Sequence, residues 1–329
     1  MPFGRRITDV MLYLQRDKKS VALGRLGVGL MAAVLLLPAC EVRAPDGGTA
    51  RLDQAVRQGT APVAVTGPRR ITAAGDFRVS PAWSPSGRWL AVAGLRGQGL
   101  YLVPTDGGPE RAVDVDHRGP WRWRSVGTRD VLCFGNGATA DALDAETWEV
   151  RPPCAPVDYD AERGLRIHRV GGKTFYHNSR LGTVTVVQDG LARTIPLDAG
   201  AWGARVSPDG RYVAYCAGTL ATAELLLLDV AAGRTRSLGP GAHPAWFPDG
   251  ARLLYTVISR VERVGRAGVV AAADLHLFEV GASQSRRLEQ AGDQAEVQPA
   301  VSPDGRHLAY ADWRTGAIYL RPAPQEVTP

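Results

Sequence analysis

Two of the six histidines, His168 and His177, fall nine residues apart in one stretch with strand character. Imidazole nitrogens on neighbouring strands can bind a transition metal such as zinc, which takes three or four protein ligands. No third ligand accompanies this pair, so ordinary polar positions on strands and turns are the favoured interpretation. We therefore predict no metal site, although the pair makes one conceivable.

Enzymatic motifs with a defined geometry are missing from the sequence. A nucleophile elbow, G-x-S-x-G, does not occur, and neither does the zinc-binding H-E-x-x-H or a phosphate-binding Walker loop. The Gly-Gly-Lys at 171–173 lies between two strand-like runs, where it predicts a hairpin turn instead of a phosphate loop. We expect a protein with no catalytic residue and no cofactor.

The cysteines suggest one pairing and one inert thiol. Cys133 lies in a strand-like run, and Cys154 lies in the loop RPPCAP, 21 residues later. A disulfide between them is a candidate in an exported protein, but the sequence does not give their distance, so the pairing is left open. Cys216 falls at a small-residue position shared with Ala93 and Thr256, which favours a buried, unreactive thiol.

Residues 1–39 have the organisation of an export signal. Basic residues precede an apolar run, Leu26–Leu37, which is shorter than the roughly 20 residues that span a bilayer as a helix. The run ends in Leu-Pro-Ala-Cys, which resembles the bacterial lipobox and predicts acylation at Cys40. An ordinary cleaved signal with an incidental cysteine is the alternative. Residues 40–68 are rich in Gly, Pro and Ala and predict a tether to a folded body.

Net charge excludes one class of partner. The chain carries +6, but residues 1–39 contribute six basic and two acidic side chains, so the part after residue 39 is close to +2. Nucleic-acid binding requires a concentrated basic face, which a nearly neutral body does not provide. We expect no nucleic-acid partner.

Four near-copies of one phrase organise the rest of the chain. They read AWSPSGRWLAVAG, VSPDGRYVAY, AWFPDGARLLYTV and AVSPDGRHLAYAD, with their prolines at Pro85, Pro208, Pro248 and Pro303. Ser-Pro-Asp-Gly is typical of a tight turn, and the flanking residues alternate as in strands, so each copy predicts a β-hairpin. A third and a fourth strand-like run follow most copies, which predicts four-stranded antiparallel sheets in meander order.

The spacing of the copies gives the number of sheets. Pro85 and Pro208 are 123 residues apart, or three units of 41, and weaker copies fall between them at 127–135 and 171–179. The next step is one unit, and the last step is one unit plus an insertion at 259–274. Residues 69–325 are therefore predicted to form an all-β, six-bladed β-propeller of four-stranded antiparallel blades.

Two further features concern how the blades join. The unit that contains the last Ser-Pro-Asp-Gly turn has only three predicted strands, so we expect Arg69–Thr72 to supply the missing fourth strand and close the ring. Trp83 and Trp246 occupy equivalent positions in their repeats, with Trp121 close by. Aromatic residues repeated at one blade position predict packing between blades and not a ligand cage.

The repeated phrase, followed by a strand and by Thr-Asp-Gly-Gly at 105–108, resembles the propeller repeat of the TolB family over roughly residues 69–323. The resemblance implies the propeller fold. TolB proteins also carry an α/β domain before the propeller, whereas only 28 residues separate Cys40 from the first predicted strand here. The repeat also occurs in the non-catalytic part of prolyl-oligopeptidase-like enzymes, so it specifies a fold more than a function.

The predicted topology indicates where a partner would bind. In a four-stranded meander the Ser-Pro-Asp-Gly turns share one end of the channel, while the insertion and the residues that enter each innermost strand share the other. Long loops on a rigid scaffold are a frequent place for binding. The residues predicted to contact a partner are Arg78, Arg118, His243, Arg260, Arg263 and Gln298.

Together these patterns predict a lipid-anchored, periplasm-facing protein of the bacterial cell envelope. It is expected to act as a monomer and to bind another protein or a peptide without catalysis; inner and outer membrane are both open as its location. The alternative is a propeller enzyme that acts on lactones or glycans at the channel mouth. That alternative requires converging carboxylates or histidines around a metal or polar site.

Overall fold

The computed structural model describes residues 67–135, 140–154, 159–160, 165–198, 200–264, 267–288 and 294–324. The predicted signal, the lipobox with Cys40 and nearly all of the predicted tether lie outside these residues. Within the described part of the chain, no helix is long and apolar enough to cross a bilayer.

The structure is a ring of six antiparallel sheets, which confirms the predicted all-β, six-bladed propeller. Each sheet follows the meander order from an innermost to an outermost strand. Blades 1 to 3 contain β2 (Val79–Trp83), β3 (Trp89–Ala93), β4 (Leu100–Pro104), β5 (Arg111–Asp114); β6 (Trp121–Val126), β7 (Arg129–Phe134), β8 (Ala140–Asp144), β9 (Val150–Cys154); and β10 (Tyr159–Asp160), β11 (Leu165–Val170), β12 (Lys173–Asn178), β13 (Thr183–Gln188), β14 (Leu191–Pro196).

Blades 4 to 6 contain β15 (Trp202–Val206), β16 (Tyr212–Ala217), β17 (Glu224–Asp229), β18 (Arg234–Pro240); β19 (Ala242–Trp246), β20 (Arg252–Val264), β21 (Ala267–Glu279), β22 (Arg286–Arg287); and β23 (Glu296–Val301), β24 (His307–Asp312), β25 (Ala317–Pro322), β1 (Arg69–Arg70). Short 3-10 turns occur at Leu95–Gly97 and Leu220–Thr222. Blade 3 differs from the others because the two-residue strand β10 pairs with the inner edge of β11.

The Ser-Pro-Asp-Gly turn is closed by its own serine. The Ser207 hydroxyl donates to the Asp209 carboxylate at 2.5 Å and accepts the Tyr212 backbone N–H at 2.9 Å. Gly210 leaves the turn at φ +67°, a left-handed conformation that glycine adopts without a steric penalty. These bonds satisfy the backbone where the chain reverses, so the repeated phrase produces a hairpin at each copy.

The ring is closed by the chain's own N-terminal strand, as predicted. Arg69 and Arg70 of β1 pair antiparallel with Leu320 and Tyr319 of β25. The pairing continues past β1, because the buried Thr72 hydroxyl accepts the Ile318 backbone N–H at 2.8 Å. Blade 6 therefore combines strands from both ends of the propeller and leaves no open sheet edge inside the ring.

Tryptophan side chains connect the innermost strands of neighbouring blades. The Trp83 indole N–H donates to the Ala300 carbonyl at 3.2 Å, across the closure between blades 6 and 1. Trp123 makes the same bond to Ala82 at 3.1 Å. Trp246 donates to the carbonyl of the preceding blade's Arg205, also at 3.1 Å. The predicted role in packing between blades is therefore observed, with Trp123, and not the neighbouring Trp121, at the equivalent position in blade 2.

The insertion in blade 5 is a β-hairpin with bulges and not the loop that the sequence suggested. Strands β20 and β21 run 13 residues each, well beyond the blade, and stay paired to Val264 and Ala267. We call the part of these strands that extends past the blade, residues 258–264 and 267–273, the arm. Its residues Val270 and Ala273 are buried against Val297 and other core residues of blades 1 and 6. The arm is therefore packed against the ring through these two side chains.

We predict that Thr72→Val weakens the closure. The substitution keeps the shape of the side chain but leaves the buried Ile318 N–H without an acceptor, which costs about 1–3 kcal/mol in the free energy of unfolding. Thr185→Val is the matched control, because the Thr185 hydroxyl bonds Thr194 at an exposed position. Denaturant unfolding should show a loss for Thr72→Val and a change within about 0.5 kcal/mol for the control. Equal effects would contradict a special role for the closure.

Candidate functional site

The two ends of the channel are built differently. The Ser-Pro-Asp-Gly turns lie at one end, which we call the turn end. The innermost strands begin at the other end, which also carries the arm and the links between successive blades. We call this second end the channel mouth. The asymmetry follows from the meander order, because hairpin turns alternate between the two ends of each sheet.

Four blades share an unusual backbone conformation at the channel mouth. The left-handed residues next to the start of their innermost strands are Ser80 (φ +54°), Gly203 (+65°), His243 (+54°) and Gln298 (+52°). Each lies at a register shift between the innermost strand and its neighbour, which marks a β-bulge. Three of the four are not glycine, and L-residues are disfavoured there by about 1–2 kcal/mol. The mouth therefore holds a ring of strained positions.

Two of the strained residues line one narrow cleft. The cleft is bounded by side chains of blades 4, 5 and 6 and of the arm: Leu220, His243, Val270, Val297, Gln298 and Trp313. The Gln298 side-chain oxygen accepts the Ser80 backbone N–H at 2.8 Å. The His243 ring meets Trp202 edge to face, with 6.1 Å between ring centroids. Apolar walls with a few polar groups are typical of recognition sites.

His243 presents an unused polar atom in this cleft. Its Nδ1 is buried and makes no hydrogen bond among the described residues. Burial and the Arg205 guanidinium lower the pKa of His243 to about 4, so the ring is neutral at physiological pH. A neutral imidazole with a free nitrogen can donate or accept one hydrogen bond to a ligand. The predicted residues His243 and Gln298 thus lie together, under Val270 of the arm.

His168 and His177 are both buried in blade 3. Burial, together with Arg166 and Arg205, lowers the pKa of His177 to about 4, and burial takes the pKa of His168 well below its ordinary value. His168 pairs across the sheet with Phe175, and His177 with Arg166, so the two rings share a face without a third ligand. In the described part of the chain, no group of three or more His, Cys, Asp or Glu side chains is arranged to hold a metal ion.

The predicted arginines are dispersed. Arg78 stacks its guanidinium 3.7 Å from the Tyr101 ring centroid and pairs with Glu110 at 2.6 Å, which leaves 11% of its side chain exposed. These contacts hold Arg78 against blade 1, directly before its innermost strand. Arg118 is exposed in the link between blades 1 and 2. Arg260 is exposed on the arm, and its guanidinium lies 3.3 Å from Glu262. The Arg263 side chain lies outside the described residues.

The cysteine pairing that the sequence left open is present, and Cys154 lies in strand β9 instead of the predicted loop. Cys133 and Cys154 are joined as a disulfide inside blade 2, with 6.0 Å between their Cα atoms. Cys216 is a free, fully buried thiol, and burial raises its pKa to about 12, so it is unreactive. In each of the four blades with a left-handed residue at the mouth, the residue just before it pairs with a residue on the next strand. Those partners are Ala93, Cys216, Thr256 and Ala311. This register confirms the shared small-residue position.

Glu296 is a buried acidic residue at the channel mouth that the sequence analysis missed. Its side chain is fully buried between blades 5 and 6, beside the Leu275 backbone N–H and the Tyr310 hydroxyl. Arg321 lies 3.7 Å away. Burial raises the pKa of Glu296 to about 6; Arg321, the Leu275 N–H and the Tyr310 hydroxyl oppose the rise, and the nearby Asp274 carboxylate adds to it. The local pattern around Glu296 reads as a strand start, which gives no signal of burial.

We predict opposite stability changes at two equivalent mouth positions. Ser80→Gly relieves a left-handed residue and should raise the free energy of unfolding by roughly 0.5–1 kcal/mol. Gly203→Ala introduces that strain and should lower it by about 1 kcal/mol. A Cβ at 203 would meet no atom closer than the Cys216 Sγ at 3.9 Å, so a clash does not explain the loss. Two changes of the same sign in denaturant unfolding would contradict the strained ring.

Comparison with known proteins gives a fold and no family. No protein-family profile matches the chain, and no curated protein sequence does. The gluconolactonase XC5397 of Xanthomonas campestris is similar in structure, with a TM-score of 0.51, 14% identity, and coverage of 80% of this chain and 97% of that one. A putative TolB of Agrobacterium tumefaciens matches with a TM-score of 0.46 and 14% identity over 76% of this chain and 92% of its own. At this identity the similarity shows the β-propeller fold alone.

Proposed function

We propose that this protein is a non-catalytic binding scaffold of the bacterial cell envelope, which engages another protein or a peptide at the channel mouth. The observation that carries the proposal is the placement of His243 and Gln298, both strained, in one cleft beneath the arm. Strained residues persist where the surrounding structure holds them, and they concentrate at ligand sites. The mouth is the part of the described structure that combines strain, a cleft and an unused buried polar atom.

The scaffold is suited to binding because its mouth is preorganised. Indole hydrogen bonds tie the innermost strands of neighbouring blades, and the closure leaves no free sheet edge within the ring. Little conformational entropy is then lost when a partner docks. The cleft itself has room for about one water molecule, so a partner would contact its rim, with the arm and the exposed Arg118 contacting the surrounding surface.

The direction of the first strand supports an orientation for the anchored protein. Strand β1 runs antiparallel to β25, so the chain enters blade 6 from the turn end. The Arg69 guanidinium contacts the Thr105 and Asp106 carbonyls in a turn at that same end. A tether from an acylated Cys40 would therefore reach the turn end first. The mouth would face away from the membrane, towards partners in the periplasm.

We expect the double variant His243→Ala/Gln298→Ala to lose its partner. The changes remove the two polar groups of the cleft, and truncation of central contact residues typically costs more than 1 kcal/mol, or about tenfold in affinity for each 1.4 kcal/mol. Arg211→Ala/Arg306→Ala, at exposed positions of the turn end, is the control. Both variants and the parent protein would be immobilised and compared for proteins retained from envelope extracts. A partner kept by the mouth variant and lost by the turn-end variant would overturn the proposal.

The lipid anchor has a separate test. Cys40→Ser removes the thiol that would carry the lipid at the predicted lipobox, so the protein should move from the membrane fraction to the soluble fraction after export. A single acyl chain binds membranes only marginally, whereas the several chains of a lipoprotein hold it stably, so the change should be large. Fractionation followed by immunodetection measures it. Unchanged membrane association of the Cys40→Ser protein would exclude acylation as the anchor.

A further inference from the structure

Glu296 lies where the arm joins the ring. It is the first residue of β23, and the preceding residue, Ala295, forms a parallel bridge with Ala273 at the end of the arm. The next arm-side residues, Asp274 and Leu275, lie beside the carboxylate. The contact between the arm and blade 6 therefore passes directly over a fully buried carboxyl group.

The charged groups around Glu296 do not neutralise it well. Arg321 of β25 lies 3.7 Å from its carboxylate, which is longer than a hydrogen-bonded ion pair. On the arm side, the Asp274 carboxylate repels it, and Arg287 of β22 is already bonded to Asp274 at 2.6 Å. An ionised carboxylate that is fully buried without a close ion pair is unfavourable, and protonation or the entry of water relieves it.

The remaining neighbours offer little compensation. The Tyr310 hydroxyl of β24 lies near the carboxylate, but it donates to the Gln294 side chain at 2.8 Å. Asp312, which pairs across the sheet with Glu296, is occupied by the Ala295 N–H and the Thr315 hydroxyl. Strand β19 of the neighbouring blade also packs against β23 and carries His243 at the mouth. That imidazole is neutral, so it does not compensate the carboxylate charge.

We infer that Glu296 makes the seating of the arm over the channel mouth depend on pH. When Glu296 is protonated, Ala273 and Val270 stay packed on the ring. When it is ionised, states are favoured in which the base of the arm, at Ala273 and Asp274, separates from blade 6 and water reaches the carboxylate. The mouth is then less covered by the arm at neutral pH than at acidic pH. The functional meaning of this change rests on the proposed role of the mouth in binding, because the arm would regulate access to that same site.

The direction follows from linkage. The pKa of Glu296 rises from the ordinary 4.5 to about 6 in the seated state, so the seated state binds the proton more tightly. The added stability of seating is fully present below pH 4.5 and is lost as the pH rises through about 6. The seated and lifted states differ in proton affinity by at least roughly tenfold, and the ratio of their populations changes by that same factor across this pH range.

Hydrogen exchange of the mature chain measures the seating without any partner. Protection of peptides that cover residues 267–279, after the intrinsic pH dependence of exchange is divided out, should fall roughly tenfold between about pH 4.5 and about pH 7.5. Glu296→Gln should make protection of this segment independent of pH. The control Glu262→Gln, at an exposed position on the arm, should keep the full change. Strands at the turn end of blade 1 should show no such change.

A second variant keeps the inference testable if Glu296→Gln folds poorly. Asp274→Asn removes the repelling charge at the arm root, so the midpoint of the change should move to lower pH. Arm protection that is equal at both pH values in the parent protein, or a midpoint unmoved in Asp274→Asn, would overturn the inference. Because the readout is exchange in the free protein, a failure of the arm inference is distinguishable from a failure of the proposed binding function.

Discussion

The architecture depends on the pairing of β1 with β25, which closes the ring. A meander of four-stranded sheets has two loose ends, and only a strand from the start of the propeller can complete blade 6. That pairing is short, but it is reinforced by the buried bond between Thr72 and the Ile318 N–H and by the Trp83 indole, which spans the same junction. These contacts link residues that are far apart in the sequence, so they contribute to stability only once the ring has formed.

Closure also determines the geometry of the channel mouth. Indole hydrogen bonds hold the innermost strands together at three junctions, between blades 6 and 1, 1 and 2, and 4 and 5, which fixes the bulges of these blades relative to one another. Ser80 can then meet the Gln298 side chain across the junction of the first and last blades. The arm rests on these same two blades. An open ring would separate Ser80 from Gln298 and remove the surface on which Val270 packs.

Repeat spacing predicted the fold well because turn chemistry is local. The turn at Ser207–Gly210 is closed by hydrogen bonds between near neighbours in the sequence. The same four residues therefore form the same turn wherever they occur. The number of blades and the closing strand followed from counting such units. The hairpin character of the arm was missed, because the insertion was recognised by its length alone, whereas β20 and β21 continue their pairing through it.

Features that arise between blades could not be predicted from the sequence. Arg78 was expected to contact a partner at the mouth, but its packing on Tyr101 and its ion pair with Glu110 could not be predicted from the repeat. The burial of Glu296 results from blade 5 and the arm closing over it, and no pattern near residue 296 records that contact. The predicted residues His243 and Gln298 line the same cleft, because equivalent positions of neighbouring blades lie at the same end of the ring.

The most direct test of the account is where on the propeller a partner makes contact. A photo-crosslinking amino acid would be placed at the exposed Arg118 position of the mouth, at Val261 of the arm, and at the exposed Arg211 position of the turn end. Irradiation in intact cells captures whatever lies within a few ångströms. The account predicts a common adduct from the first two positions and none from the third. Adducts confined to the turn-end position would contradict it.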